Sequence, residues 1–438
     1  MRVMLKQHKW ITEISTFVGV TFSLLVLVAI KIPTAFRNFW AEDGTFYEQA
    51  LTDNFPQDFF SSGGGYFIFI SRIIARLVTF GPVAYASFFN EVIVTLFLSF
   101  FIVRLYVNLN FLLKSKIYKI IISISVFLLP INNFDVIATA GALHFQLIFI
   151  SLIISLSAKK RSGISKLDIV IVSIAILSDP LALMTLIPLF IRERTEVMKF
   201  WKNALGALIL IAISVATQIA MVIRFYLEGN DRIATSHSIL KTSYLFLERV
   251  IGSTFIPHWG NVSSNSLYQG GITTHLAIRA VIGLVCVGII MFFTIAHLRK
   301  RLSEHEIHDK STVVWLLLLS SLYWLTVGLI FNPEPRYGIF PGLCFLLAIL
   351  ILFDHGSCEA TSHTIVNIST YLVLVFSILI WALSATPSER RVLGPDWHIQ
   401  ISQGRLECTQ KGQGSVWIKI LPIDTAWKVE LECQFLVK

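Results

Sequence analysis

Apolar runs of about 15–25 residues recur along nearly the whole chain, separated by short segments that collect the charges, and this spacing leaves few ways to fold. A helix of ~20 apolar residues matches the ~30 Å hydrocarbon core of a bilayer. Within that core only helices and closed barrels satisfy their backbone polar groups. Of the 438 residues 55% are hydrophobic and 14% charged, whereas an ordinary soluble chain carries about 25% charged residues. These figures exclude a disordered chain and a water-soluble two-domain enzyme. The net charge of +9 lies in short loops and forms no continuous basic face, which excludes a nucleic-acid module. The expected fold is an all-α polytopic membrane protein.

Spans are expected near 14–32, 82–107, 117–131, 142–157, 167–178, 181–191, 203–226, 273–298, 312–331, 339–353 and 365–384, eleven in total. The first follows Arg2, Lys6 and Lys9 and lacks a small-residue cleavage site, so it reads as a retained signal anchor. With the N-terminus inside, the inner segments hold 18 Lys and Arg and the outer loops before the tail hold 7, the bias expected of cytoplasmic loops. The membrane domain then covers 1–384, with outer loops 33–81 and 227–272, and a tail, 385–438, lies outside. The pairs 117–131/142–157 and 167–178/181–191 contain segments too short to cross upright and read as partial hairpins. Segment 66–80 puts Arg72 and Arg76 on one helical face and suits a helix lying flat at the outer interface. Alternation at 397–401, 416–420 and 428–431 reads as a small β unit in the tail. Cys408 and Cys433 both fall there, where an oxidising compartment allows a disulfide; its 24-residue loop is worth on the order of 3 kcal/mol.

Polar groups near the outer ends of spans are the candidates for chemistry, since burial in a membrane is costly without a purpose. Glu42 and Asp43 directly follow the first span, and adjacent carboxylates in a partly desolvated site repel, raising the apparent pKa of the pair. The alternative is a solvated helix-end turn. Arg336 and Tyr337 follow two prolines in a short outer loop, where a fixed guanidinium suits phosphate. Their alternative is an interfacial anchor. Weaker candidates are His144 and Asp179 at the two hairpin tips, Arg224 at a span end, and His258 with Trp259. Asp179 also fits as a helix cap before Pro180. Glu91 and Arg104, within the second span, fit as helix-to-helix ties. No metal-ligand spacing and no nucleotide-binding glycine motif is present, so no cofactor is expected.

A signal anchor followed at once by Glu42-Asp43, short paired hairpins, an outer loop ending in Pro335-Arg336-Tyr337, and a tail with Trp397 and Pro422…Trp427 together resemble the GT-C membrane glycosyltransferases. Within them the chain is most similar to the serotype-converting O-antigen glucosyltransferases of enteric bacteria and their phages. The resemblance implies a multi-pass enzyme of the bacterial inner membrane. Its donor would be a polyprenyl-phosphate-linked glucose, and its acceptor a hydroxyl of the O-antigen polysaccharide on the periplasmic side. A separate flippase and a polyprenyl-phosphate glucosyltransferase would supply that donor. It further implies that Asp43 or Glu42 is the base, with Asp43 preferred because its shorter side chain beside Gly44 allows closer approach of substrate. Arg336, helped by Arg224, would neutralise the departing phosphate, and His144, Asp179, His258, Trp259 and Tyr337 would line the substrates. The competing readings are a lipid-linked sugar flippase or transporter, which would carry internal repeats and mid-membrane charges, and an O-antigen polymerase. With eleven spans, alkaline phosphatase fused after residue 384 is expected to be active; an inactive fusion with an active cytoplasmic reporter at that point refutes this topology.

Overall fold

The computed structural model describes residues 2–53, 55–60, 66–129, 138–160, 164–190, 205–229, 239–252, 304–330, 335–356, 394–411, 414–422 and 427–437, with residues 254 and 281. The chain is mostly helical, with a single small two-stranded sheet among the described residues. The principal helices among the described residues are α1 (Arg2–Lys31), α2 (Glu42–Thr52), α3 (Phe69–Val78), α4 (Ala86–Leu109), α5 (Lys116–Leu128), α6 (Leu143–Lys160), α7 (Lys166–Ser178), α8 (Leu205–Leu227), α9 (Ile239–Leu245), α10 (Glu304–Ile330), α11 (Ile339–Gly356) and α12 (Trp397–Lys411). Strands β1 (Ser415–Lys419) and β2 (Lys428–Glu432) pair antiparallel.

Six described helices are long and apolar enough to cross a membrane: Glu13–Lys31, Val83–Leu109, Ala140–Ala158, Leu208–Leu227, Ser311–Leu329 and Arg336–Asp354. They match six of the eleven expected spans. Runs 117–131 and 167–178 form helices of 13 residues each, and 181–191 begins as the 3₁₀ segment Pro180–Leu186. The expected spans 273–298 and 365–384 lie outside the described residues, apart from Val281.

Burial sorts the long helices into layers. The Ala140–Ala158 span is buried along nearly its whole length and is the central helix, packed against α4, α7 and α11. Its serines supply polar ties between helices: Ser151 and Thr185 share a hydroxyl bond of 2.8 Å, and Ser157 donates to the Asn108 carbonyl at 2.9 Å. By contrast α1 exposes Ile14, Val18, Phe22, Val26 and Ile30, one residue every four, while Leu24 and Val28 face α4. An apolar stripe of that period on an outer helix is a lipid-facing surface.

At one end of this bundle lie α2, α3, the start of α6, the α7–Pro180 junction, the end of α10 and the tail. The opposite end is closed by ion pairing and capping. Arg104 on α4 binds the buried Asp168 of α7 at 2.7 Å, and Asp354 accepts from the backbone of Lys114 and Ser115. The expected tie at Arg104 is present. Helix α3 has 10 residues and does not span, and its arginines point into the protein: Arg76 pairs with Asp58 at 2.6 Å, while Arg72 is buried against Gln49 and the Phe46 ring.

The tail corrects one expectation. Residues 397–401 form the first turn of a 15-residue helix, α12, and not a strand, so the tail is a helix with a hairpin. Trp397, Ile401 and Cys408 are buried at helical spacing, and the Asp396 carboxylate accepts from the Ile399 amide at 3.2 Å as a cap. The Cys408–Cys433 disulfide is present and joins α12 to the end of β2.

The hairpin seats on α2 at Gly44, where an added Cβ would fall 2.5 Å from Ile420 Cδ1 and 2.9 Å from Val429 Cγ2. Gly44→Ala is therefore expected to lower stability by about 1–3 kcal/mol. Trimming Ile420 to Ala in the same chain should recover part of that loss. Thermal unfolding of the detergent-solubilised single and double variants checks both, and an unchanged midpoint for Gly44→Ala refutes the close seat.

Candidate active site

The site begins where the chain leaves α1. After the 3₁₀ turn Pro33–Phe36, residues 38–41 run beside the tail: the Leu421 amide donates to the Phe39 carbonyl at 3.0 Å, and the Ala41 amide to the Leu421 carbonyl at 2.6 Å. Further along, Asn38 donates to the Pro395 carbonyl, and the Trp397 amide to that of Arg37. This stitching holds Ala41 at φ +40°, a conformation costing a non-glycine residue of order 1–3 kcal/mol. The sharp turn there opens α2 with Glu42 and Asp43.

Successive residues on a helix point about 100° apart, and the two carboxylates part company accordingly. Asp43 turns inward and is 3% exposed. Its oxygens accept from the Ala140 amide at 2.9 Å, the Gly141 amide at 2.8 Å and the Asn90 side chain at 3.2 Å. It thus caps the 3₁₀ turn Ala140–Ala142 that leads into α6. Gly141 leaves room for this approach, since a Cβ there would lie 3.3 Å from Asp43 Oδ1. Burial pushes the Asp43 carboxyl up to about 6, against the opposing pull of the two amides and Asn90. The Glu42 charge also raises it but is the smallest contribution, so repulsion within the pair is not the main cause of the shift.

Glu42 turns the other way and keeps 26% of its side chain accessible. Its Oε1 stands 3.5 Å from Arg336 Nη1, in the 3₁₀ turn Pro335–Gly338 that precedes α11. The Arg336 guanidinium also lies 5.8 Å from the Tyr337 ring centre, whose ring meets Phe145 edge-on at 5.4 Å. The space beside Gly44, expected to admit substrate, is filled by Ile420 and Val429. Of the two carboxylates, Glu42 is the one a substrate can reach.

His144, at the start of α6, and Asp179, between α7 and the Pro180 segment, come together with Nε2 and Oδ2 3.6 Å apart. Asp179 also caps the segment beginning at Pro180, accepting from the Leu181 amide at 2.8 Å through Oδ1. Tyr66 joins them, its hydroxyl 3.4 Å from His144 Nε2. Tyr66 and the buried Tyr323 of α10 both lie within electrostatic reach of Asp179, Tyr337 and Arg336. Sequence reasoning missed Tyr66, Tyr323 and Asn90. Only Tyr66, following Gly63-Gly64-Gly65 at the head of an amphipathic helix, carried any signal. Arg224 is not drawn in: it pairs with Glu228 at 2.7 Å and reaches the Phe60 carbonyl on the surface. His258 and Trp259 lie outside the described residues. Among the described residues, no three His, Cys, Asp or Glu side chains converge as a metal site.

No family model matches the chain, and no curated protein sequence matches it.

The raised Asp43 pKa sets a pH dependence of stability. With an ordinary value of 3.8 in the unfolded chain and about 6 in the folded one, the folded state holds this proton more tightly. Its contribution is therefore full below pH ~4 and falls as pH rises through ~6, by on the order of 3 kcal/mol in all. The apparent Tm of the wild type is expected to drop over that window relative to Asp43→Asn, measured by thermal unfolding in detergent. A pH-independent difference between the two proteins refutes this.

Proposed function

We propose that this chain is a GT-C-like membrane glycosyltransferase. It moves a glucosyl or other hexosyl group from a polyprenyl-phosphate donor to a sugar hydroxyl of O-antigen. The observation that carries the reading is the Glu42–Arg336 pair: an accessible carboxylate facing a guanidinium across 3.5 Å at one end of an apolar bundle. The basic-residue bias along the sequence argues that this end is periplasmic in a bacterial inner membrane, with the N-terminus cytoplasmic.

The chemistry follows from what each group can do. A sugar hydroxyl is a poor nucleophile at neutral pH, so Glu42 takes its proton as the acceptor oxygen bonds to the anomeric carbon. The bond from that carbon to the phosphate oxygen breaks on the opposite face, its electron pair leaves with the lipid phosphate, and the anomeric configuration inverts. Arg336 neutralises the charge that builds on the phosphate. Asp43, with its oxygens committed to Ala140, Gly141 and Asn90, is a positioning residue that holds α2 against α6. A transporter is less well supported, because the candidate groups gather at one end of the bundle.

Glu42→Gln is expected to reduce transfer by about 10²–10⁴-fold with Tm unchanged. Arg336→Lys should also impair transfer, because it keeps the charge and loses the fork. Asp43→Asn should lower activity and Tm together, and leave the pH profile of the residual transfer unaltered. Transfer from polyprenyl-phosphate-glucose in proteoliposomes checks all three. Wild-type rates for Glu42→Gln overturn the assignment of the base.

A further inference from the structure

Behind the Glu42–Arg336 pair, three side chains stand close without saturating one another. His144 Nε2 is 3.4 Å from the Tyr66 hydroxyl and 3.6 Å from Asp179 Oδ2, both beyond the usual hydrogen-bond range of about 2.7–3.2 Å. The Tyr323 hydroxyl is fully buried and has no hydrogen-bond partner among the described residues. Its ring packs on Phe340 at 4.9 Å, and it lies within electrostatic reach of Asp179, Tyr66 and Arg336. Natural proteins seldom leave a buried hydroxyl unmatched. Four groups of mixed donor and acceptor character, loosely spaced and backed by aromatic rings, suit a neutral polyhydroxylated ring. Burial of His144, Asp179 and Tyr323 makes a charged ring substituent costly to desolvate at that depth, whereas the partly exposed Arg336 guanidinium suits a phosphate.

We infer that Tyr66, His144, Asp179 and Tyr323 form the pocket for the hexosyl ring of the donor, with the lipid phosphate held at Arg336, and that they select a neutral sugar over a uronate. This rests on the transferase reading above and departs from the expectation that His144 and Asp179 line the acceptor. The anomeric carbon then sits between ring pocket and phosphate, and Glu42 approaches it from the accessible side.

Tyr323→Phe is the sharpest test, because it removes a hydroxyl that has no hydrogen-bond partner among the described residues. Full-length protein in nanodiscs is titrated with polyprenyl-phosphate-glucose and with bare polyprenyl phosphate. The variant is expected to bind the glucosyl lipid about tenfold more weakly, to bind the bare phosphate as the wild type does, and to keep its Tm. Tyr66→Phe should act in the same direction. Wild-type protein should bind polyprenyl-phosphate-glucuronate no more tightly than the bare lipid. The inference is overturned if Tyr323→Phe weakens both lipids equally or neither, or if it raises only the KM for the acceptor. A wild-type protein that binds neither lipid defeats the proposed function itself, whereas tight glucosyl-lipid binding untouched by Tyr323→Phe defeats this pocket alone.

Discussion

The Asp43 carboxylate is the joint on which the candidate site is built. It ties the first turn of α2 to the opening turn of α6 and, through Asn90, to α4, so one side chain sets the relative positions of three elements. Burying a carboxylate is expensive, and the protein offsets the expense with backbone amides at a helix start, where partial positive charge already gathers. That the carboxyl is still pushed up to about 6 means the offset is incomplete. The joint fixes two residues at once: Glu42 lies one position before it on α2, and His144 one position into α6.

The tail keeps that joint in place from the outside. Residues 38–41 are locked to Leu421 and Pro395, Glu48 on α2 accepts from the Glu430 amide at 3.1 Å, and the hairpin rests on Gly44. The Trp397 ring fills the space between, packing edge-on against Phe39 at 4.9 Å while its indole N–H donates to the Val83 carbonyl. The strained Ala41 backbone persists because this much surrounding structure determines it. The Cys408–Cys433 bond fastens α12 to the end of the hairpin, so the tail meets α2 as one piece.

Most of the membrane scaffold was legible in the sequence because span length and hydropathy are properties of a single segment. All six long apolar helices among the described residues lie where the apolar runs put them, and the short runs 117–131 and 167–178 are short helices. Features that depend on meeting another segment were harder to read. Alternation over five residues at 397–401 fits a strand and one turn of helix equally well; only the longer spacing from Trp397 to Cys408, with Asp396 as a cap, decides for the helix. The pair Glu42-Asp43 stood out, but which member faces α6 follows from the turn at Ala41, itself fixed by a partner some 380 residues away. Tyr323 was hidden because it lies near the middle of an apolar run, where nothing in the sequence shows whether its hydroxyl meets a partner on another helix.

A contrast between the two ends of the bundle separates what holds the fold from what is offered to a ligand. At the closed end, the Asp168 carboxylate accepts from Arg104 and Ser165 at 2.7 Å each and from Asn108 at 3.3 Å. A buried charge so fully matched has nothing left to give and fastens α4 to α7. At the other end, Glu42 and Arg336 stand 3.5 Å apart, His144 stands 3.6 Å from Asp179, and the Tyr323 hydroxyl has no mate among the described residues. The long His144–Asp179 distance and the Tyr323 hydroxyl are what the proposed sugar pocket draws on, because groups saturated by one another could not exchange their contacts for those of a substrate.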